Sequence, residues 1–307
     1  MLVNLVMRLV KEKPLGTVGL VITLLLLLTG IFANFLAPYG MNEINLADKL
    51  AAPSAKYWLG TDNVGRDILS RVIYGARISM VVGLGASIMA TSISLIIGVV
   101  CGYIGGKFDL IVQRFVDAWM CLPGLVLFLV IITIIRPGIW SLIFVIGVSW
   151  GISGSRIIRS ATIVVKENVY VEAAVAIGCP TSRILVRHIL PNIMAPIIIL
   201  FTARVPAVIM AEASLSFLGF GIPPPAPSWG GMLSGRGREF MFLAPWMAIW
   251  PGLALSIVVY GVNMFGDAVR DLLDPRLRGG VGRYGMRVKK GKKGKEGGDA
   301  NQSSTTE

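Results

Sequence analysis

Apolar residues run in long uncharged stretches along this chain. Residues 14–42, 78–106, 118–135, 137–155, 213–235 and 241–266 contain no Asp, Glu, Lys or Arg. A further stretch, 189–218, is interrupted only by Arg204 and Glu212. A helix needs roughly 20 apolar residues to cross a bilayer core. Trimmed at their polar ends, the stretches predict six spanning helices at 17–37, 79–104, 115–135, 139–157, 193–218 and 245–267. The second half of 213–235 differs. Gly219, Gly221, Pro223, Pro224, Pro225 and Pro227 predict a stiff loop there.

Composition agrees with that pattern. The 307 residues include 29 Lys+Arg and 17 Asp+Glu, or 15% charged, while 54% are hydrophobic. Mean hydropathy is +0.73. A soluble domain could not hide so much apolar surface, which excludes a soluble enzyme and a disordered chain. Cys101, Cys121 and Cys179 lie in or near three different segments without CxxC spacing, and His188 is the single histidine. No disulfide framework, metal site or His-based catalytic centre is expected, and no catalytic residue is assigned. Arg8, Lys11 and Lys13 precede the first apolar stretch. That stretch exceeds a signal-peptide core and lacks an A-x-A site, so it reads as a retained first span.

Six spans place both termini on one side. With that side cytoplasmic, twenty of the 29 basic residues lie inside and eight outside. This is the bias the positive-inside rule expects. Tyr39, Trp140 and Trp246 then fall where an outer aromatic belt belongs. The net charge of +12 is a topology signal here and implies no nucleic-acid partner. The expected organisation is an all-α membrane protein. Its parts are a cytoplasmic segment 1–16, a first helix 17–37 and an external loop 38–78. A five-helix core 79–268 follows, with a cytoplasmic loop at 158–192 and a basic tail 269–307.

Several positions stand out within the spans. Ala86, Ala90, Ser94, Gly98, Gly102 and Gly106 recur every four residues, on nearly one helix face. Such small residues admit a close helix neighbour, either within this chain or in a partner subunit. Pro123, Pro206 and Pro251 sit inside the third, fifth and sixth spans, where each can kink its helix. Arg204 and Glu212 are intramembrane charges, about 12 Å apart along a helix and too far for a direct pair. Each is either satisfied by a neighbouring helix or lines a polar path, so both are pore candidates.

The loop after the fourth span reads ENVYVEAAVAIGCPTSRILVRHILPN over 167–192. Its local chemistry predicts a helix over 163–177, stopped by Gly178 in a left-handed turn, with Pro180 following. Thr181 and Ser182 can cap a second helix that runs through 184–190 and stops at Pro191. Ala173, Ala174 and Ala176 keep one side slim. Earlier in the chain, Thr61, Asp62 or Asn63 in GTDNVGRD can cap a helix beginning near Arg66. The same segment could instead contact an external binding protein. Asp267, Arg270, Asp271, Asp274 and Arg276 form a charged cluster at the last span's exit.

Glu172-Ala173-Ala174, then Gly178, then Leu190-Pro191 resembles the EAA loop of ABC-importer permeases. The R-H-I-L-P-N form at 187–192 is similar to the dipeptide, oligopeptide and nickel subfamily, although His188 stands where the broader pattern often has Ile. Three further blocks resemble the same subfamily in order: LGTDNVGRDILSR at 59–71, EASLSFLGFGIPPPAPSWGG at 212–231, and the stretch 245–278 with WPG and GDAVRDLLDPRLR. Together the four blocks point to the second-permease type with a long first external loop. The resemblance implies a type I importer permease fold with a coupling helix that docks on an ATPase subunit. It implies a second permease subunit, two cytoplasmic ATPases and an external solute-binding protein as partners. Glu172, Ala173, Ala174, Gly178, Pro180 and Thr181 become the coupling residues, and Ala90, Ser94, Gly98 and Gly102 remain helix-packing positions.

The chain carries no P-loop. Gly106-Lys107 is followed by Phe108, and the first motif glycine would fall at Cys101. No cofactor is expected on this chain, and ATP with Mg would be bound by partner subunits. Gly151-Ile152-Ser153-Gly154-Ser155 lacks the last glycine of a nucleophile elbow. The tail, with Lys289, Lys290, Lys292, Lys293 and Lys295, reads as a solvated segment or a contact for anionic membrane lipid. A self-sufficient secondary transporter and an intramembrane enzyme are the rival classes. The first has no detectable inverted repeat to support it, and the second no catalytic set. The subfamily's solutes are dipeptides and oligopeptides, nickel complexes and oligosaccharides.

Overall fold

A computed structural model describes residues 9–273. Apart from an isolated bridge between Thr61 and Asp67, regular structure among these residues is helical. The first helix, α1, is Pro14–Ile31 and starts on a proline, where the missing N–H is no loss. It packs lengthwise on α8, Trp246–Leu273. Gly19 and Gly261 are the contact points. A methyl on Gly19 would come within 2.6 Å of the Phe265 backbone N, and one on Gly261 within 2.6 Å of Ile22 Cβ. Between helices surrounded by lipid, such backbone approach is the main source of adhesion. Lys13 and Asp271 close one end of the pair at 2.6 Å. At the other, Arg77 donates from Nε to Gly30 O at 2.9 Å and from Nη2 to Ile31 O at 3.3 Å.

Arg77 belongs to α2, Ile68–Ile104, a helix of 37 residues. Its length of about 55 Å exceeds a ~30 Å hydrocarbon core, so its first turns project into the 38–67 lobe. The helix begins later than the GTDNVGRD segment predicts, and its cap is Asp67. The Asp67 carboxylate accepts from Ser70 N at 2.8 Å and Ser70 Oγ at 2.7 Å. Thr61 and Asp62, two of the residues expected to cap, serve the lobe instead. Asp62 accepts from Val64 N and Arg66 N at 2.9 and 3.0 Å and pairs with Arg66 Nε at 2.6 Å. The Thr61 hydroxyl donates to Asp48 O at 2.5 Å.

The third predicted span is not one straight helix. Gly106–Met120, α3, and Gly124–Ile135, α4, meet at an angle of 89°. Pro123 stands at the break, as the cap residue of α4. α4 alone is about 18 Å long, short of a full crossing. The 115–135 stretch is bent rather than straight because it crosses Pro123 and runs back into α3, whose polar face includes Asp109, Gln113 and Asp117. Pro206 and Pro251, by contrast, lie within continuous helices.

Ile139–Lys166, α5, packs along α2 in the most extensive helix pairing of the chain. Val169–Ala176, α6, follows, and Thr181–Phe217, α7, returns across the bundle. The main core joins α2, α4, α5 and α7 through Val82, Ile132, Leu142, Ile146, Val208 and Leu215. The 219–244 loop folds back onto the lobe end. Trp229 Nε1 donates to Val72 O at 3.0 Å, and Trp246 Nε1 donates to Thr61 O at 3.1 Å, so Trp246 anchors the lobe. Among the described residues, five helices are long and apolar enough to cross a membrane, or six if the bent α3–α4 pair is one span. The 274–307 tail, with Asp274, Arg276 and the lysine cluster, and residues 1–8 lie outside the described residues. Asp271 of the exit cluster pairs with Lys13, the residue just before α1.

Candidate functional site

The loop between α5 and α7 is built from three local signals. The first is Asn168, which ends α5. Its side-chain amide donates to Val164 O and Val165 O, both at 3.0 Å, while its own carbonyl accepts from Val171 N and Glu172 N at 2.9 and 3.2 Å. The single helix expected over 163–177 is therefore two helices joined at Glu167–Asn168. The second signal is Gly178. Its φ is +76°, its N–H donates to Val175 O at 2.9 Å, and Cys179 N donates to Ala174 O at 3.0 Å. That pair of bonds is a Schellman closure, which a residue with a Cβ enters at a cost. The third is Pro180, extended and in the cap position of α7. Thr181 opens α7 and is exposed, and no side-chain hydroxyl makes the cap bond expected of Thr181 or Ser182.

The predicted stop at Pro191 does not occur. α7 passes from an α-turn at Thr181–Ile184 through a π-turn at Leu185–Ile189 and a 3-10 turn at Leu190–Ile193 before it resumes as an α-helix. Widening and then tightening the ladder lets the helix carry a proline that lacks an N–H. The Asn192 side chain donates to His188 O at 2.6 Å in the same stretch.

α6 presents two faces. Val171 and Ala174 are buried against Ile158, Ile184 and Ile189. Glu172, Ala173 and Ala176 face outward. Ala174 therefore gives close approach within the chain, and Ala173 gives it on the free side. Glu172 lies in the first turn of α6, where a carboxylate complements the helix dipole. Around it the surface is apolar: Val169 is 79% exposed, Ile177 84% and Val186 63%. A loop end of this kind has a satisfied backbone and an uncovered apolar rim.

The other sequence-marked residues lie deeper. Ala90, Ser94, Gly98 and Gly102 face α5 of the same chain. A methyl on Gly98 would come within 2.7 Å of Ile158 Cβ, and one on Gly102 within 2.8 Å of Thr162 Cβ. Gly106, the last residue of the stripe, starts α3, and a methyl there would meet no atom within 4 Å. Arg204 is buried where α2, α5 and α7 meet. Its Nη2 donates to Ser94 Oγ at 3.0 Å and Trp150 O at 2.5 Å, and the missing side chain of Gly154 makes room for the guanidinium. Ser94 Oγ in turn donates to Gly151 O at 2.7 Å. Glu212 is fully buried eight residues further on, near the lobe end, and accepts from Ser216 Oγ at 2.7 Å. The structure thus keeps the two charges apart and gives each its own neighbours.

A third set of charges went unmarked. Asp109 and Asp117 on α3 face Arg159 and Arg156 on α5. The sequence shows the acidic pair and the basic pair but not that α3 crosses α5, so the match is a product of tertiary structure.

A chain with this bundle, this bent pair and this loop has known counterparts. Residues 94–279 match the family described as the inner membrane component of binding-protein-dependent transport systems. Residues 2–53 match the N-terminal transmembrane domain of oligopeptide transport permease C. The chain belongs to the binding-protein-dependent transport permease family.

Relatives of this permease are alike over most of their length. It is 38% identical over 268 residues, 87% of this chain and 88% of the relative, to the dipeptide transport system permease protein DppC of Alkalihalophilus pseudofirmus. It is 37% identical, with the same shares covered, to the oligopeptide transport system permease protein OppC of Bacillus subtilis. It is 36% identical to the glutathione transport system permease protein GsiD of Escherichia coli, over 88% of this chain and 89% of that one. Among solved structures, an inward-facing form of the MetNI methionine ABC transporter aligns with a TM-score of 0.50 at 16% identity, covering 66% of this chain and 96% of that one. That likeness shows a shared helical fold. The permease is a multi-pass inner membrane protein, and its relatives are transport permeases rather than enzymes.

Proposed function

We propose that this permease forms half of the pore of an ATP-driven importer that carries dipeptides or oligopeptides delivered by an external binding protein. The observation that carries the reading is the 167–192 loop. Its backbone is closed by Asn168 and Gly178, while Val169, Ile177 and Val186 are left uncovered on a chain similar to peptide permeases. Both termini face the cytoplasm in this reading, as the basic-residue bias favours. A second, similar permease completes the pore, and two cytoplasmic ATPases bind ATP and Mg. The loop holds the contact: α6 docks on an ATPase through its exposed apolar rim, and Glu172, Ala173 and Thr181 lie on the docking face. Gly178 and Pro180 fix the angle between α6 and α7, and Ala174 locks α6 to α5. ATP-driven movement of the ATPases then reaches the spanning helices.

Affinity purification of the permease from native membranes in mild detergent tests this. The expected result is co-purification of a second permease, a P-loop ATPase and a binding protein that retains peptide. Recovery of the permease alone, under conditions where other importers stay intact, contradicts it.

A further inference from the structure

α3 is weakly held by apolar contacts. Among its residues only Asp109 and Val116 are buried, while Phe108, Leu110, Ile111 and Phe115 are exposed. An amphipathic helix with this profile lies along a membrane surface. What attaches α3 to the core is charge. Arg159 grips Asp109 with both arms of its guanidinium, Nε to Oδ1 at 2.6 Å and Nη2 to Oδ2. The Asp109 and Arg159 side chains are only 11% and 29% exposed. Arg156 Nη2 pairs with Asp117 Oδ1, and Arg114 adds a contact to Asp117 at 3.4 Å. A cleft of about 450 Å³ lies between the pairs, lined by Gln113 and Ser160.

These pairs sit at a junction. Arg156 and Arg159 are on the last turns of α5, and only Glu167 and Asn168 separate α5 from α6. Lys166, the final residue of α5, donates to Tyr103 O at 2.6 Å and so ties the same end to α2. In the other direction α3 leads through Pro123 to α4 at 89°. A two-armed, largely buried ion pair resists both extension and rotation more than an exposed single contact does.

We propose that the Asp109–Arg159 and Asp117–Arg156 pairs form a strut that transmits displacement of the 167–192 loop through α5 to α3, and across the Pro123 bend to α4. Asp109 and Arg159 are positioning residues for transport. This inference rests on the importer reading given above.

The test uses the complete importer in phosphatidylethanolamine–phosphatidylglycerol vesicles, with uptake of a radiolabelled dipeptide mixture and ATP hydrolysis measured on one preparation. Asp109→Ala and Arg159→Ala each lower the uptake per ATP hydrolysed by about tenfold while hydrolysis continues, and the exchange D109R/R159D restores it to within about threefold. A variant that is merely less stable lowers both rates together and leaves their ratio unchanged. If Asp109→Ala does not assemble, Asp109→Asn keeps the side-chain shape without the charge and is expected to lower the ratio as well. An unchanged ratio in the single variants overturns the strut, as does failure of the exchange to restore it. ATP-independent uptake by the parent importer overturns the importer reading itself, and the strut with it.

Discussion

At the lobe end of the bundle, polar side chains satisfy one another. Asp48 Oδ2 accepts from the Asn45 amide, the Lys56 ammonium and the Tyr57 hydroxyl at 2.6, 2.7 and 3.0 Å. Asp62 holds its own loop and Arg66, Asp67 caps α2, and Trp229 and Trp246 fasten the 219–244 loop and α8 to the same structure. At the α6 end the backbone is equally well closed, but the side chains are not. Val169, Ile177 and Val186 stay exposed beyond a Schellman turn. The lobe pairs its polar side chains within one chain while leaving Ile44, Leu46 and Trp58 exposed, whereas the α6 loop holds its shape through the backbone and exposes an apolar rim. In the importer reading the first is a cap on which a partner rests and the second a joint that a partner completes.

The contrast predicts a hierarchy of effects. Gly178→Val has the largest. No atom lies within 4 Å of the added Cβ, so the cost is the φ of +76°, about 1–2 kcal/mol and more for a β-branched residue. Vesicle uptake is expected to be lost while the variant still inserts, and Gly178→Asn, which tolerates the left-handed region, to keep most of it. Normal uptake by the valine variant counts against the loop as the coupling element. Ile177→Asp comes next. It removes apolar rim without touching the fold, so retention of the ATPase in a pull-down should fall about tenfold, a loss typical of a moderate interface position. Trp58→Asp, at an exposed site on the lobe, should leave ATPase retention unchanged.

Asp67→Ala acts on stability. It removes the buried cap of α2 and costs about 1 kcal/mol, read as a fall of a few degrees in the permease's unfolding temperature with uptake per ATP unaltered. Lys56→Ala is the smallest. The Lys56 ammonium, then the Tyr57 hydroxyl, holds the Asp48 carboxyl below its ordinary value of 3.8. A carboxyl lowered on folding contributes stability above that ordinary value and loses it as pH falls through the lowered one. The variant should therefore lose a little lobe stability at pH 7, with the difference from the parent vanishing as pH falls through the lowered value, as followed by tryptophan fluorescence. A loss that persists unchanged below the lowered value would mean that the Asp48 charge does not carry the effect.

The spanning helices were legible in the sequence because uncharged length is a direct physical requirement of the bilayer, and Gly178 because the left-handed turn that ends a helix favours glycine, with Pro180 two residues on to prevent continuation. What failed to read was decided by neighbours. Asp67 became the cap of α2, and the side chains of Thr61 and Asp62 were taken up within the lobe. Asn168 split one predicted helix because its amide could reach two terminal carbonyls. Pro191 did not stop α7 because a π-turn and a 3-10 turn absorbed it. The match of Asp109 and Asp117 to Arg159 and Arg156 needs the crossing of α3 on α5, which no local pattern encodes.

The most direct test places a photo-crosslinking residue at Ile177 or at Trp58 and identifies the captured proteins from native membranes. The account predicts a P-loop ATPase at Ile177 and the external binding protein at Trp58. An ATPase captured at Trp58, or no ATPase at Ile177, contradicts it.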